Sequence, residues 1–160
     1  MLEFIAEAIL PLTWAQIFAA IFCGTILGFE RQARGRPAGI RTSIMICLGS
    51  EVFVHLGTSL HGVNADPTRV LGQVVNGIGF LGAGVMLARG SMVMGVTSAS
   101  VIWMMAAVGS VIGLGHISAA ITLTVTVVFV LTFFDFLESR FGYSEPITKK
   151  KRVQIETPAD

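Results

Sequence analysis

The stretch Gln73-Val74-Val75-Asn76-Gly77-Ile78-Gly79-Phe80-Leu81-Gly82-Ala83-Gly84 decides how the rest of the chain is read. It lies in a segment apolar enough for lipid, yet it holds four glycines and two side-chain amides. A glycine costs about 1 kcal/mol relative to alanine in an exposed helix, so four in one span call for a reason. In a membrane, either neighbouring backbones come very close there or the helix is broken to line a site, as in transporters. Gln73 and Asn76 fall one turn apart on one helical face. In hydrocarbon each amide needs a partner, so that face is expected to point into protein or water and never into lipid.

The composition supports the membrane reading. Across 160 residues, 53% are hydrophobic and only 13% charged, with a mean hydropathy of +0.76. The charges fall between long uncharged runs, which excludes an ordinary soluble domain. One transmembrane domain over residues 1–142 is expected, followed by a polar basic tail, 143–160, without fixed structure. A net charge of +1 says nothing about partners, and no nucleic-acid partner is expected. Cys23 and Cys47 sit in apolar runs and read as reduced thiols in packed helices. No metal-ligand spacing, catalytic constellation or nucleotide fingerprint is visible, so neither a metal, a cofactor nor enzymatic activity is expected. Met1–Pro11 lacks a basic leader region, so no removed signal peptide is expected.

Outward from the central stretch, residues 2–10 read as a short interfacial helix ending at Pro11. Five spans are then expected against the roughly 20 apolar residues that a crossing needs. They run from Thr13 to Phe29, Ala38 to Leu56, Thr68 to Ala88, Val96 to Leu114 and Ile117 to Phe136. The fold class is therefore all-α and polytopic. Arg31, Arg34, Arg36 and Arg41 crowd the first connection, Arg89 the third, and Arg140 with Lys149-Lys150-Lys151-Arg152 follows the fifth span. The second and fourth connections carry little positive charge, which predicts an outside N-terminus and a cytoplasmic C-terminus.

Three groups of residues are candidates for function. In the basic loop, Pro37 suits the first turn of the second helix, and Arg41 falls slightly inside the span, where a charge is usually paired. Either Glu30 clamps Arg41, or Arg31, Arg34, Arg36 and Arg41 form a site for an anion or lipid headgroup. Glu51 and His55, one turn apart inside the second span, read either as half of a metal or proton site or as a hydrogen-bonded pair reached by water. Glu51 is the only carboxylate deep in a span, too few for a dehydrated Mg²⁺ cage. The third group is the small-residue pattern. Gly24-Thr-Ile-Leu-Gly28 and Gly109-Ser-Val-Ile-Gly113 are GxxxG motifs that support close helix contact, within the chain or across a dimer. Trp103 falls mid-span, so its indole N–H is expected to meet Gln73 or Asn76.

Gly28-Phe-Glu-Arg31, Ala38-Gly-Ile-Arg-Thr42, Gln73-x-x-x-Gly77-Ile-Gly-Phe-Leu-Gly-Ala-Gly84 and Gly95-Val-Thr97, followed by Trp103 and Gly109, resemble the MgtC/SapB family over about residues 15–115. The resemblance implies a bacterial inner-membrane protein tied to adaptation to low magnesium and to survival of pathogens inside host cells. It also implies restraint of the membrane ATP synthase rather than ion transport. The small motif residues favour action through helix contacts with itself or with a membrane complex, and the GxxxG pairs and small size predict a homodimer. The motif residues that the resemblance marks are Glu30, Arg31, Arg41, Thr42, Gln73, Asn76, Gly77, Gly79, Gly82, Gly84, Thr97 and Trp103. Glu51 stands where the family usually has a small residue, and Ser98 and Ser100 replace threonine or alanine. The founding members carry a soluble domain after the membrane part, and this chain reads as a short form without it. A transporter or channel for Mg²⁺ or another ion, using Glu51, His55, Gln73 and Asn76, is the alternative.

Overall fold

A computed structural model of the chain describes residues 13–59, 67–89 and 92–141. The expected interfacial helix and the polar tail lie outside the described residues. Those described form helices α1 (Trp14–Ala33), α2 (Ile40–Ser59) and α3 (Pro67–Gly84), strands β1 (Leu87–Arg89) and β2 (Met92–Met94), then helices α4 (Val96–Gly113) and α5 (Ile117–Phe141). Each expected span coincides with a helix. The third ends earlier than expected, because the chain turns after Gly84 and enters an antiparallel hairpin with Ala88 opposite Val93. The basic third connection is thus a β-hairpin, which hydropathy alone did not foretell. Among the described residues, α2, α4 and α5 are long and apolar enough to cross a membrane.

Two helix ends explain the tight connections. After α1, Gly35 adopts φ 62°, with Gly35 N–H donating to the Gln32 carbonyl and Arg36 N–H to that of Arg31. After α4, Gly115 adopts φ 86° and repeats the pattern, through Gly115 N–H to Ile112 and His116 N–H to Val111. Both are Schellman caps, in which a left-handed residue lets the last carbonyls be satisfied without a further turn. Ala38 also takes a left-handed φ, of 62°, a conformation costing a residue with a side chain roughly 1–2 kcal/mol. The expectation that Pro37 opens α2 is corrected: Pro37 lies in this loop and α2 starts at Ile40.

Residues up to Phe129 form one compact unit, and those from Val130 a second. Within the first, α2 is the hub, packed extensively on α1 and α4, while α3 leans mainly on α4. Both GxxxG motifs are spent on α2. A Cβ on Gly24 would lie 2.8 Å from Ile44 Cα, and one on Gly28 2.5 Å from Ile40 Cα. On α4, Gly109 abuts the Cys47 carbonyl and Ser50, while a Cβ on Gly113 would lie 2.6 Å from the Glu51 carbonyl oxygen. Of the two readings left open by the motifs, contact within the chain is the one realised. Where lipid tails are as apolar as leucine, such close backbone packing is a principal source of helix association. Leu27, Val54, Met105, Val108 and Ile112 fill the space around these contacts, and Cys23 and Cys47 are buried free thiols there.

The start of α5 buries one stripe, Ala120, Thr124 and Val127. Thr122, Thr124 and Thr126 each donate their hydroxyl to the carbonyl one turn back. Hydroxyls satisfied inside their own helix leave nothing polar for lipid to accommodate. In the second unit, α5 continues to Phe141, with Phe133 and Phe134 meeting edge to face at 5.6 Å.

Candidate functional site

The polar chemistry begins at the C-terminal end of α1. Arg31 is only 3% exposed, and its Nη2 donates to Ser98 Oγ on α4 at 2.7 Å. Its Nε has no hydrogen-bond partner. Burial pulls the Arg31 guanidinium below its ordinary value; Glu30 opposes that shift, and Arg36 and Arg34 add to it. The group stays charged regardless, because a guanidinium does not deprotonate in a protein. Glu30 is buried beside it and lies 2.6 Å from Arg34 Nε, an ion pair whose angle falls outside hydrogen-bond geometry. The expected Glu30–Arg41 clamp is therefore corrected. Glu30 takes Arg34, the residue that caps the C-terminus of α1, and Arg41 and Thr42 are exposed at the start of α2. The other end of the α1–α4 contact carries a second polar link, in which Gln16 Nε2 donates to the Ile112 carbonyl at 3.0 Å. Thr13 Oγ1 donates to Gln16 Oε1 at 2.5 Å, so this buried amide is satisfied on both sides. Antiparallel α1 and α4 are thus stitched near both ends.

Glu51 is fully buried, at 0% exposure, in the contact where Gly113 presses on its backbone. Neither carboxylate oxygen has a hydrogen-bond partner. His55, one turn on, is half-buried, and no hydrogen bond joins the two side chains. Among the described residues no group of three or more His, Cys, Asp or Glu side chains could hold a metal ion.

The central stretch departs from expectation. Its inner face, through Leu71, Val74, Ile78 and Gly82, turns toward α4 and its surroundings, and a Cβ on Gly82 would lie 3.7 Å from Ala99. Gln73, Asn76, Gly77, Gly79 and Gly84 are exposed, and a Cβ at any of those three glycines would meet nothing within 4 Å. The helices of this chain cover only the inner face of the segment, and the amides sit on the side of α3 away from α4. Arg69, Asn76 and Phe80 make one exposed outward face, with Phe80 82% exposed, and Gln73 at its edge lines the groove between α2 and α3. The expected meeting of Trp103 with these amides is corrected for the same reason. Trp103 is 49% exposed and lies beside Ile78 and Val75 on the opposite flank of α3. Thr97 is exposed at the start of α4.

Sequence reasoning missed two buried polar contacts. Ser98 drew notice only as a departure from the family pattern, and Gln16 none at all. The signal for Gln16 was available, since it is an amide one turn inside an apolar span and must find a partner there.

The MgtC family model matches residues 17–140. YhiD, a proposed magnesium transporter of Escherichia coli (strain K12), is 44% identical over 131 residues, 78% of this chain and 60% of that protein. Protein MgtC of Brucella abortus (strain 2308) is 42% identical over 116 residues, covering 72% and 48% of the two chains. Protein MgtC of Salmonella typhimurium (strain 14028s / SGSC 2262) is 38% identical over 111 residues, 69% and 47%. The chain thus spans about half to three-fifths of the length of these relatives. No solved structure matches. The resemblance carried by the glycine and arginine blocks is borne out, the apolar helices make this a multi-pass membrane protein, and the chain belongs to the MgtC family.

Proposed function

We propose that this protein is a non-enzymatic regulator in the bacterial inner membrane, linked to magnesium adaptation and intracellular survival, that acts through helix contacts with itself or with a membrane complex such as ATP synthase. Five spans, an outside N-terminus and a cytoplasmic C-terminus complete the reading. The observation that carries it is the exposure of the two amides of α3, Gln73 and Asn76, on a helix that this proposal takes as a span. An amide left facing acyl chains costs several kcal/mol, so a protein partner must cover that face. The three curated relatives support the magnesium link through the name of one of them.

Cross-linking in native membranes tests the proposal. Cys23 and Cys47 are buried, so Asn76→Cys adds one accessible thiol. A short bis-maleimide is expected to give a dimer or a discrete hetero-complex from this variant, and none from Phe18→Cys on α1. Equal, diffuse products from both positions would refute a specific interface at α3.

The second reading, an ion transporter or channel, rests on the buried and unpartnered Glu51 carboxylate beside His55. Liposomes holding only the purified protein would then pass Mg²⁺, and Glu51→Gln would abolish the flux. No flux from the wild-type protein would dismiss this reading.

A further inference from the structure

We propose that Glu51 is a proton site: α2 and α4 close only around its uncharged carboxyl, so the seam binds one proton on closing and releases it on opening. The carboxyl is 0% exposed, and neither oxygen has a hydrogen-bond partner. Ionised in that position, it would have lost its water and gained neither a donor nor a counter-charge, the costliest arrangement for a buried acid. Such a site needs neither a protein partner nor ion flux, and so stands apart from both functional readings above.

No neighbour supplies the missing charge. On α2 the adjacent titratable side chains are Cys47, one turn back, and His55, one turn on. Cys47 Sγ donates to the Met105 carbonyl at 3.4 Å, and no hydrogen bond joins His55 to Glu51. Helix α4, packed on this face, brings no titratable group, because Val96–Gly113 contains none. Helix α1 brings Cys23 and, at its far end, Glu30 and Arg31. That end is remote: Gly28 meets Ile40, and Glu51 follows Ile40 along α2 by roughly 17 Å. The charged side chain of α3, Arg69, lies on its outward face. Gln16 commits its amide N–H to the Ile112 carbonyl. A metal ion would need further ligands, and among the described residues no group of three or more His, Cys, Asp or Glu side chains could hold one. A proton needs only the one carboxyl.

Packing ties that proton to the seam. A Cβ on Gly113 would lie 2.6 Å from the Glu51 carbonyl oxygen and 3.2 Å from the His55 backbone nitrogen, so α4 covers this turn of α2. Once the two helices part, water enters from the end of α2 at Ser59, roughly 12 Å from Glu51. The carboxyl then takes the ordinary glutamate value, about 4.3. Above that pH the closed seam holds a proton that the open one gives up. Closure is therefore fully favoured in acid and weakens as pH rises, by up to about tenfold in the open-to-closed ratio per pH unit, until the closed carboxyl itself ionises.

Maleimide labelling of Cys47, which lies in the same seam, tests the coupling. Wild type and Glu51→Gln are compared at each pH, so that thiol ionisation cancels. The wild-type rate relative to Glu51→Gln is expected to rise about tenfold between about pH 5.5 and about pH 6.5. A ratio that stays flat or falls would overturn the coupling. Infrared difference spectra, wild type minus Glu51→Gln, test the site itself at about pH 6.5, where a solvated glutamate is ionised. The carbonyl stretch of a protonated carboxylic acid is expected, and carboxylate bands in its place would overturn the site. Should Glu51→Gln fail to fold, Glu51→Leu, which also cannot ionise, serves as the reference in both measurements.

Discussion

Gly109→Ala is the sharpest test of the packing described above. The added Cβ would lie 2.9 Å from Ser50 Cβ and 3.0 Å from the Cys47 carbonyl carbon, and closer still to the Cys47 carbonyl oxygen. Ordinary carbon contacts are about 3.5–4.0 Å. The blocking atoms are backbone or the first side-chain atom, so no rotamer change relieves the clash and α2 must shift from α4. Overpacking of this kind costs up to about 3 kcal/mol, and alanine returns at most about 1 kcal/mol of helix propensity. The net loss, about 2 kcal/mol, raises the population of open molecules roughly thirtyfold. Cys23 and Cys47 are buried free thiols, so maleimide labelling in mild detergent reports that population when reclosing outpaces labelling. The expected result is labelling about thirtyfold faster than wild type, and no acceleration in Gly77→Ala, where a Cβ meets nothing within 4 Å. Gly109→Ala labelling at the wild-type rate, or both variants shifting alike, would refute the claim that the GxxxG motif of α4 is consumed on α2.

The same labelling assay reads two further substitutions, and a thermal melt reads a third. Ser98→Ala removes the acceptor of the buried Arg31 guanidinium and is expected to cost about 1.5–3 kcal/mol, as bonds to charged groups do; a cost near zero would mean that Arg31 finds another partner. Gln16→Leu cuts the bond to Ile112 and is expected to accelerate labelling about threefold, the typical worth of an interhelical bond in a membrane protein. Glu51→Leu removes two buried oxygens that have no hydrogen-bond partner and is expected to leave the thermal midpoint unchanged or higher; a marked fall would show that the carboxyl is held.

Much of the scaffold was legible from the chain alone because apolar length and glycine spacing are local properties. The five long apolar runs located α1 to α5, and Gly24/Gly28 with Gly109/Gly113 marked surfaces for close contact. Whether those surfaces served this chain or a partner was not legible, since a GxxxG motif is identical in both cases. The hairpin between α3 and α4 escaped notice because strands Leu87–Arg89 and Met92–Met94 are too short to carry a period of their own. In the candidate site, the burial of Glu51 followed from its place in a span, whereas the arginine that reaches the interior did not. Arg31, Arg34, Arg36 and Arg41 look equivalent in sequence, and only the crossing of α1 with α4 brings Ser98 within 2.7 Å of Arg31.

The sequence by itself determined a helical membrane protein with a basic end, two small-residue seams and a pair of amides that lipid cannot accommodate. Those conclusions follow from transfer free energies and helical periodicity, which need no neighbours to be evaluated. The tertiary structure decided which seam meets which helix, that Glu30 pairs with Arg34 rather than Arg41, and that the amide face of α3 is turned outward. Each of these depends on the angle at which two helices cross, and a helix can be rotated about its axis without changing a single residue of its sequence.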